Sequence, residues 1–503
     1  MAANQDTMAM RGATLETAAP ACAPTVSSAR GATAPGETAV GVVAETLARL
    51  PRQRAAAVAC APGRLEILGG SAEYTGGLVL TMPAGGCVCV ATERRDDGQL
   101  RLVGAPAGGG AARATHCWPL SALYQAEGVP LEAERAGTLL PADGGNTVCC
   151  VLGTLIELVR ARVTEHLDRG LTLAVGSELE GLSDVGAPGA MAAAVTTAVA
   201  GAFGRRPDPM TAAAVAERVE RAWLRRVGGP AEAFTALVGE PATLMQFRCR
   251  PPQVAGTTHL PDDVLLVGLD TGSAAADVEL KQRRVRTAAC MGAHLIGRIL
   301  AHGGGRRPAS DHCLARVSIN DYIEHYRNRL PTKLPGREFL ERFGETDDGL
   351  TRVEPDVIYK VRSRTEHHIY ENARAHQFVE CLRRAIRLDD PAALAQAGEV
   401  LYGSHWSYGQ RCGLGSVTTD RLVTLLRQYG ENADIYGARI SGHGCGGVVV
   451  VLLRTTERAQ AALRAALTAF ERKTGRAPRV IGGATTGGAL LSGVTVVEPP
   501  GRG

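Results

Sequence analysis

The stretch from Ala61 to Ala84, APGRLEILGGSAEYTGGLVLTMPA, contains two apolar runs separated by a polar, glycine-rich loop. Arg64 stands at the head of the first run, and the loop presents Ser71, Glu73 and Tyr74. The pattern predicts strand, polar loop and strand. Such a loop gathers a cation, a carboxylate and a phenol near one point, which suits a ligand with many hydroxyl groups. An ordinary hairpin with solvated polar residues explains this segment equally well.

Two later stretches add to this pattern. They are Arg362 to Phe378 (RSRTEHHIYENARAHQF) and the glycine motif Tyr436 to Val450 (YGARISGHGCGGVVV). With the first segment, they resemble the motifs of the GHMP kinases, in the galactokinase branch, and most closely the kinase domain of plant L-arabinokinases. The resemblance runs from about Ala61 to Gly493. It implies an α+β fold with an N-terminal domain like ribosomal protein S5 and a ferredoxin-like C-terminal domain, and a sugar 1-kinase activity that uses ATP and Mg²⁺.

Composition limits the possible partners. The chain has 503 residues and a net charge of +4, so no electrostatic field for nucleic acid or anionic membrane is expected. It has no lysine before Lys281, which excludes a lysine-containing phosphate loop of the Walker type in the first half. The 13 cysteines show no zinc-type spacing, so no metal site is predicted from them and free thiols in the cytoplasm are expected. No apolar run is long enough to suggest a membrane span.

We expect four segments along the chain. Residues 1–40 form a disordered tail, 41–260 the N-terminal domain, 261–495 the C-terminal domain and 496–503 a second tail. The first domain begins with short strands, continues with a core helix over Val148 to His166, and contains one helix over Met210 to Val227. Strands around the late glycine motif, followed by a helix over Thr456 to Thr474, fit the ferredoxin-like second domain.

The resemblance also assigns a phosphate loop, which here reads Asp184-Val185-Gly186-Ala187-Pro188-Gly189-Ala190. Related kinases hold the triphosphate on the backbone N–H groups of this loop and on the helix that follows it. The family's serines fall on Gly186, Ala187 and Pro188, and a magnesium-ligand glutamate falls on Ala192. The nucleotide-binding residues implied by the resemblance are Gly186, Pro188, Gly189, Gly442, Gly444 and Gly446. A tight turn between strands is the plainer interpretation of the last three.

The catalytic aspartate of the family falls on Thr235, which cannot act as a general base without a base of its own. Glu232 lies three residues earlier, on the same face of a helix, and is a candidate substitute if it is not simply a surface residue. Arg64 completes the catalytic set. The resemblance assigns sugar binding to Arg64, Glu73, Tyr74 and Asp270.

Other groups of reactive side chains permit two interpretations. His443 and Cys445 suggest a base and a nucleophile, but near neighbours in a turn diverge and no orienting group is evident. His367 and His368 share a helical face with Glu371, yet no third ligand completes a metal site, which favours a structural role.

Two functions follow from these replacements. The first is a degenerate kinase that binds a sugar or sugar derivative, as a sensor or as the inactive partner of a homologous active kinase or another protein. The second is an active sugar kinase, on L-arabinose or galactose, with relocated catalytic groups. Loss of the phosphate-loop hydroxyls, the metal carboxylate and the base together favours the first, because each such group supplies roughly 2 to 4 kcal/mol to the transition state.

Overall fold

The computed structural model of the chain describes residues 35–51, 53–106, 113–125, 128–140, 145–164, 167, 169–226, 229–273, 277–302, 313–388, 390–442, 444–483 and 487–499. The helices of these residues are α1 (Pro35–Ala48), α2 (Gly145–Arg160), α3 (Ala187–Ala202), α4 (Pro209–Arg218), α5 (Ala231–Val238), α6 (Val278–His302), α7 (Ile319–Asp321), α8 (Gly336–Phe343), α9 (Val361–Leu388), α10 (Pro391–Ser407), α11 (Val417–Tyr429), α12 (Glu457–Thr474) and α13 (Ala489–Ser492). The strands are β1 (Ala56–Leu68), β2 (Leu78–Arg95), β3 (Gln99–Pro106), β4 (Arg113–Pro119), β5 (Gly170–Ser177), β6 (Thr243–Cys249), β7 (Pro252–His259), β8 (Val264–Asp270), β9 (Leu334–Pro335), β10 (Ile358–Tyr359), β11 (Ile435–Ile440), β12 (Val448–Arg454), β13 (Arg479–Ile481) and β14 (Thr495–Val497).

The first half is built on an eight-stranded sheet with the order β14-β1-β2-β5-β3-β4, to which β6 and β7 add at β2. The long antiparallel pair of β1 and β2 places Arg64 opposite Pro83. Between these strands, residues Gly70–Thr75 form a fully buried 3₁₀ turn, so the predicted polar loop lies inside the protein. Helices α2 to α5 contribute to the apolar core of this half, while α1 packs in a separate cluster with residues of β1, β2 and β5.

The second half contains a four-stranded antiparallel sheet with the order β11-β12-β8-β13. Along the chain, β8, helices, β11, β12, α12 and β13 give the β-α-β-β-α-β succession predicted for a ferredoxin-like domain. Valines and leucines fill β12 at almost every position because that strand is buried on both faces. The two halves share one continuous apolar core, in which residues of β12 join those of the first sheet.

Several predicted boundaries need correction. The helix predicted over Met210 to Val227 ends as α4 at Arg218, and a π-helical segment, Val219–Trp223, follows it. Residues 35–40 of the predicted disordered tail begin α1, while residues 1–34 lie outside the described part. The tail predicted from residue 496 is also wrong at its start, because Val496 and Val497 pair with β1. Strand β14 has three residues, Thr495–Val497, and a segment of this length is too short for its apolar pattern to predict a strand.

Candidate active site

Arg64 on β1 is the centre of a buried cluster of charges. Its side chain is 3% exposed, and Nη2 donates to Oε2 of Glu232 over 3.0 Å. Nε and Nη1 have no hydrogen-bond partner among the described residues. Burial by itself lowers the pKa of Arg64, but the negative charges of Glu232, Asp184, Glu66 and Glu73 raise it further than burial lowers it. Arg64 is therefore a buried cation with donors that a ligand can use.

Two glutamates of this cluster lie at helix N-termini. Oε1 of Glu232 accepts the backbone N–H of Gly189, in the first turn of α3, over 3.2 Å. Oε1 of Glu73 accepts the N–H of Ala231, the first residue of α5, over 2.7 Å. The first N–H groups of a helix and its dipole favour an anion at this end. In this protein, side-chain carboxylates of the chain itself supply the anion at α3 and at α5.

A third carboxylate, that of Asp184, lies against the late glycine motif. Asp184 has a left-handed backbone, with φ of 46°. A Cβ atom placed on Gly442 would lie 1.6 Å from Oδ2 of Asp184, and one placed on Gly446 would lie 3.1 Å from it. The space left by the missing side chain of Gly442 is therefore used by the Asp184 carboxylate. Gly444 instead packs against Leu414 and Tyr408.

The loop of residues 184–190 and Thr235, the position of the family's catalytic aspartate, are closely packed. Gly186 has φ of +71°, and a Cβ atom there would lie 2.8 Å from Cγ of Arg64, so only glycine fits without strain. Pro188 stands in the first turn of α3. Thr235 is fully buried, and its hydroxyl bonds the hydroxyl of Thr81 at 2.6 Å and the carbonyl of Ala231 at 2.8 Å. These contacts make Thr235 a structural residue in this conformation.

Glu220 is a site residue that the sequence analysis missed. It lies in the π-helical segment and is buried, and Oε1 has no hydrogen-bond partner among the described residues. A Cβ atom on Gly189 would lie 3.3 Å from this oxygen, which places the carboxyl group beside the start of α3. Burial first, and the charge of Glu232 second, raise the pKa of Glu220 well above the usual glutamate range. Its spacing from the buried residues Ala213 and Ala216, seven and four positions earlier, could have identified a glutamate on the apolar face.

Ser71 and Tyr74, two further polar residues of the segment from Ala61 to Ala84, contact histidines of α9. Oγ of Ser71 lies 2.7 Å from Nε2 of His367, and the Tyr74 hydroxyl lies 3.3 Å from Nε2 of His368. The guanidinium of Arg286 covers the Tyr74 ring at 4.8 Å. Burial is the main cause that lowers the pKa of both histidines well below the usual range, so their rings are neutral. The structure thus brings Arg64, Glu73 and Glu232 together and places Tyr74 in a separate buried polar network.

Asp270 lies at the end of β8 and links the two halves of the molecule. Its Oδ1 accepts the N–H of Gly272 over 2.9 Å, and its Oδ2 accepts from Arg479 over 2.6 Å and from the N–H of Ser183 over 3.4 Å. Ser183 directly precedes Asp184 in sequence, so this hydrogen bond joins Asp270 to the backbone next to a member of the charge cluster. Its role in sugar binding stays a prediction.

Comparisons with known proteins agree with this architecture. Residues 382–472 match the family model described as GHMP kinases C terminal. The chain is 27% identical over 478 residues to an L-arabinokinase of Arabidopsis thaliana, covering 86% of this chain and 46% of that protein. It is 25% identical over 311 residues to a galactokinase of Mycobacterium tuberculosis, covering 60% of this chain and 71% of the relative. A crystal structure of Lactococcus lactis galactokinase complexed with galactose superimposes with a TM-score of 0.64 at 15% identity, over 91% of this chain and 99% of that one.

In sequence and in fold, the chain is similar to the galactokinase-like branch of the GHMP kinases. The predicted resemblance and the predicted two-domain fold are therefore confirmed. The chain spans less than half of the Arabidopsis relative, so activity cannot be carried over with the name.

One cavity of the protein adjoins the loop of residues 184–190. It has a volume of about 230 Å³, and Ala187 and Pro188 of α3 and Asn146 of α2 contribute to its walls. Arg226 contributes a cation whose pKa is lowered by burial but raised more by Glu232, Glu220 and Asp184. The cavity therefore adjoins the start of α3, with Arg226 as a cation in its wall.

The remaining candidate residues support no separate chemistry. Cys445 is buried, which raises the pKa of its thiol and leaves it protonated, and His443 lies outside the described residues. Glu371, beside the two buried histidines, accepts from the Ser404 hydroxyl at 2.6 Å and from Arg374 at 3.1 Å. In the described ranges, no three His, Cys, Asp or Glu residues are arranged to hold a metal ion. None of the described helices is long and apolar enough to cross a membrane.

Proposed function

We propose that this protein is a degenerate sugar kinase of the GHMP type, which binds a sugar or sugar derivative and transfers phosphate from ATP poorly or not at all. The observation that carries the proposal is the position of the Glu232 carboxylate, which bonds both Arg64 and the N–H of Gly189 at the start of α3. A triphosphate on the N-terminus of α3 would need the N–H of Gly189, which this carboxylate already occupies. It would therefore have to displace a buried carboxylate from its ion pair.

The electrostatics around the loop support the same conclusion. Glu232, Glu73 and Asp184 cover the start of α3, the start of α5 and the late glycine motif. Each is an anion at a place where a phosphate would gain from positive potential. Two like charges about 4 Å apart repel by about 4 kcal/mol at an effective dielectric constant of 20. Nucleotide binding is therefore expected to be weak.

A second function has its own supporting observation, the unpartnered Oε1 of Glu220 beside Glu232. Mg²⁺ is commonly held by one or two carboxylates together with substrate phosphates. Glu220 fits that donor set, and a bound ion would neutralise part of the negative charge that now faces the triphosphate. In this case Glu232, freed from Arg64, would accept the proton of the sugar hydroxyl, and the protein would be an active sugar kinase with relocated groups.

Calorimetry separates the two functions. We would titrate the protein with ATP and Mg²⁺, with L-arabinose and with galactose, and then measure ADP release with each sugar. The degenerate kinase predicts saturable binding of a sugar and no ADP release above a protein-free blank. Tight Mg²⁺-dependent binding of ATP with turnover would overturn it.

Variants assign the groups if turnover is found. Relocated chemistry predicts that Glu232→Gln and Glu220→Gln each abolish turnover, while Glu240→Gln, at an exposed position beyond α5, leaves it unchanged. Association with a homologous active kinase or another protein, in which this chain would be the inactive partner, and a cytoplasmic location are further parts of the proposal. A pull-down with an active homologous kinase and fractionation of cells would test them.

A further inference from the structure

A second cavity, of about 300 Å³, shares no wall residue with the cavity beside α3 and is strongly basic. Its walls come from the ends of the β6–β7 hairpin, from the residues after the buried 3₁₀ turn, and from α9. Four of its wall residues carry basic side chains: Arg248, Arg250, Arg316 and His376. No aspartate or glutamate stands among the described residues that line it. The described lining therefore carries positive charge and no carboxylate, which gives the cavity a positive potential.

Two of these arginines have no counter-ion from the chain. Neither Arg248 nor Arg250 has a hydrogen bond from its side chain or an ion pair within the described ranges, whereas many other arginines of the protein are paired with a carboxylate. Arg248 is the exposed residue in an otherwise buried β6. Burial and the charge of Arg248 lower the pKa of His376, so the two side chains are close enough to interact. An anion bound between them would favour the protonated form of His376 and pair with Arg248.

The wall of the cavity is held in a fixed shape. Oδ1 of Asn372 on α9 accepts the N–H of Leu78 over 2.8 Å, and its Nδ2 donates to the carbonyl of Ala315 over 3.3 Å. This one side chain therefore ties together three separate segments of the wall. A Cβ atom placed on Gly76 would lie 3.4 Å from Cβ of Arg250, so the backbone of Gly76 packs against the first side-chain carbon of this arginine. A cavity held in this way loses little entropy when a ligand binds.

We propose that this cavity binds the phosphate group of a small phosphorylated molecule. Guanidinium groups form paired hydrogen bonds with the oxygens of a phosphate, and several of them together suit a dianion better than a single negative charge. The volume is at the lower limit for small-molecule sites, which favours a compact ligand such as inorganic phosphate or a sugar phosphate. The site is separate from the one proposed for the sugar and does not depend on its function.

Binding of inorganic phosphate and of galactose 1-phosphate to the full chain, measured by calorimetry at constant ionic strength, tests the proposal. Both probes should saturate with one site per chain, and tighter binding of galactose 1-phosphate would identify a sugar phosphate as the ligand. The Arg248→Ala and Arg250→Ala double variant should bind at least about tenfold more weakly, since a hydrogen bond to a charged group contributes about that factor. Arg464→Ala, at an exposed position on α12, is the matched control and should bind as the unmodified protein does.

Three outcomes would overturn the proposal. They are the absence of saturable binding of both probes, equal weakening by Arg464→Ala and by the double variant, and binding of citrate that is as tight as binding of phosphate. Because all three substituted arginines are exposed, the variants should fold. Urea unfolding of each variant verifies this, so that a loss of binding reports on the cavity.

Discussion

At the scale of single residues, Arg64 and Glu232 form a buried ion pair at the proposed site. The side chains are 3% and 5% exposed, so neither charge is solvated by water. A buried pair of this kind contributes little net stability as a pair, but either partner alone is an uncompensated buried charge. Separation of Glu232 from Arg64 would leave a buried charge without compensation. A ligand that binds Arg64 must therefore replace the Glu232 carboxylate.

Substitution of Glu232 by Gln should destabilise the protein. Glutamine keeps the size of the side chain but removes the charge that balances Arg64, and loss of one partner of a buried pair costs about 3 to 5 kcal/mol. Urea unfolding at neutral pH measures the free energy of unfolding. Glu240→Gln, at an exposed position with no ion pair to a described residue, should change it by less than about 0.5 kcal/mol. Equal stability of both variants would show that Arg64 has another source of compensation.

Glu220 should give the protein a recognisable pH dependence. Its pKa is raised in the folded state, so folding takes up a proton once the pH exceeds the unfolded value. The stability associated with this group is complete below the unfolded pKa and is lost as the pH rises toward the folded one. Glu220→Gln, which resembles the protonated side chain, should remove this loss, so its advantage over the unmodified protein grows by up to about 1.4 kcal/mol per pH unit. Urea unfolding at pH 5, 6.5 and 8 measures it, and parallel profiles for the two proteins would contradict it.

At the scale of elements, the loop and helix α3 show what sequence can and cannot predict. The glycines of the loop and the replacement of its serines are local features, and both are visible in the sequence. The carboxylate at the start of α3 is not, because Glu232 lies 43 residues from Gly189 and 168 residues from Arg64. Pairing over such distances depends on how β1, α3 and α5 pack. Tyr74 illustrates the same limit, since its partners come from α6 and α9.

The structure also shows which family groups can be restored. Gly186 must stay glycine because of its φ of +71° beneath Arg64, and Ala192 is fully buried in α3, where a glutamate would have no room. A variant that combines Ala187→Ser, Pro188→Ser, Thr235→Asp and Glu232→Gln avoids both positions. If the kinase is degenerate, this variant should release ADP with L-arabinose or galactose at least about tenfold faster than the unmodified protein, because a hydroxyl, a base and a vacant anion site act only together. Each single change should have no such effect, and a faster unmodified protein would favour relocated chemistry instead.

At the scale of the whole molecule, the sequence predicted the two sheets but not the pairing of the C-terminal strand β14 with β1. The β-α-β-β-α-β succession of the second half follows from apolar strands and capped helices, such as α12, where the Thr456 hydroxyl accepts the N–H of Ala459. The return of the C-terminus to the first half has no such signal. Strand β14 has only three residues, and its pairing with β1 is a contact across more than 400 positions.

Removal of residues 487–503 should therefore destabilise the first half, although these residues follow the second half in sequence. Leu490 and Ala489 are buried in the core, the N–H of Gly488 donates to the carbonyl of Gly239 just after α5, and the side chain of Val494 packs on Gly201 of α3. Loss of the burial of Leu490 alone costs about 1.5 to 3 kcal/mol, so the free energy of unfolding should fall by at least about 3 kcal/mol in total.

Removal of residues 500–503 is the control for this truncation. Leu490→Ala, with an expected cost of about 2 to 5 kcal/mol, replaces the truncation if the truncated protein does not fold. Because the segment contacts α3 and the end of α5, the truncation should also weaken sugar binding. Unchanged urea midpoints for both the truncation and Leu490→Ala would mean that the C-terminal segment does not hold these helices in place.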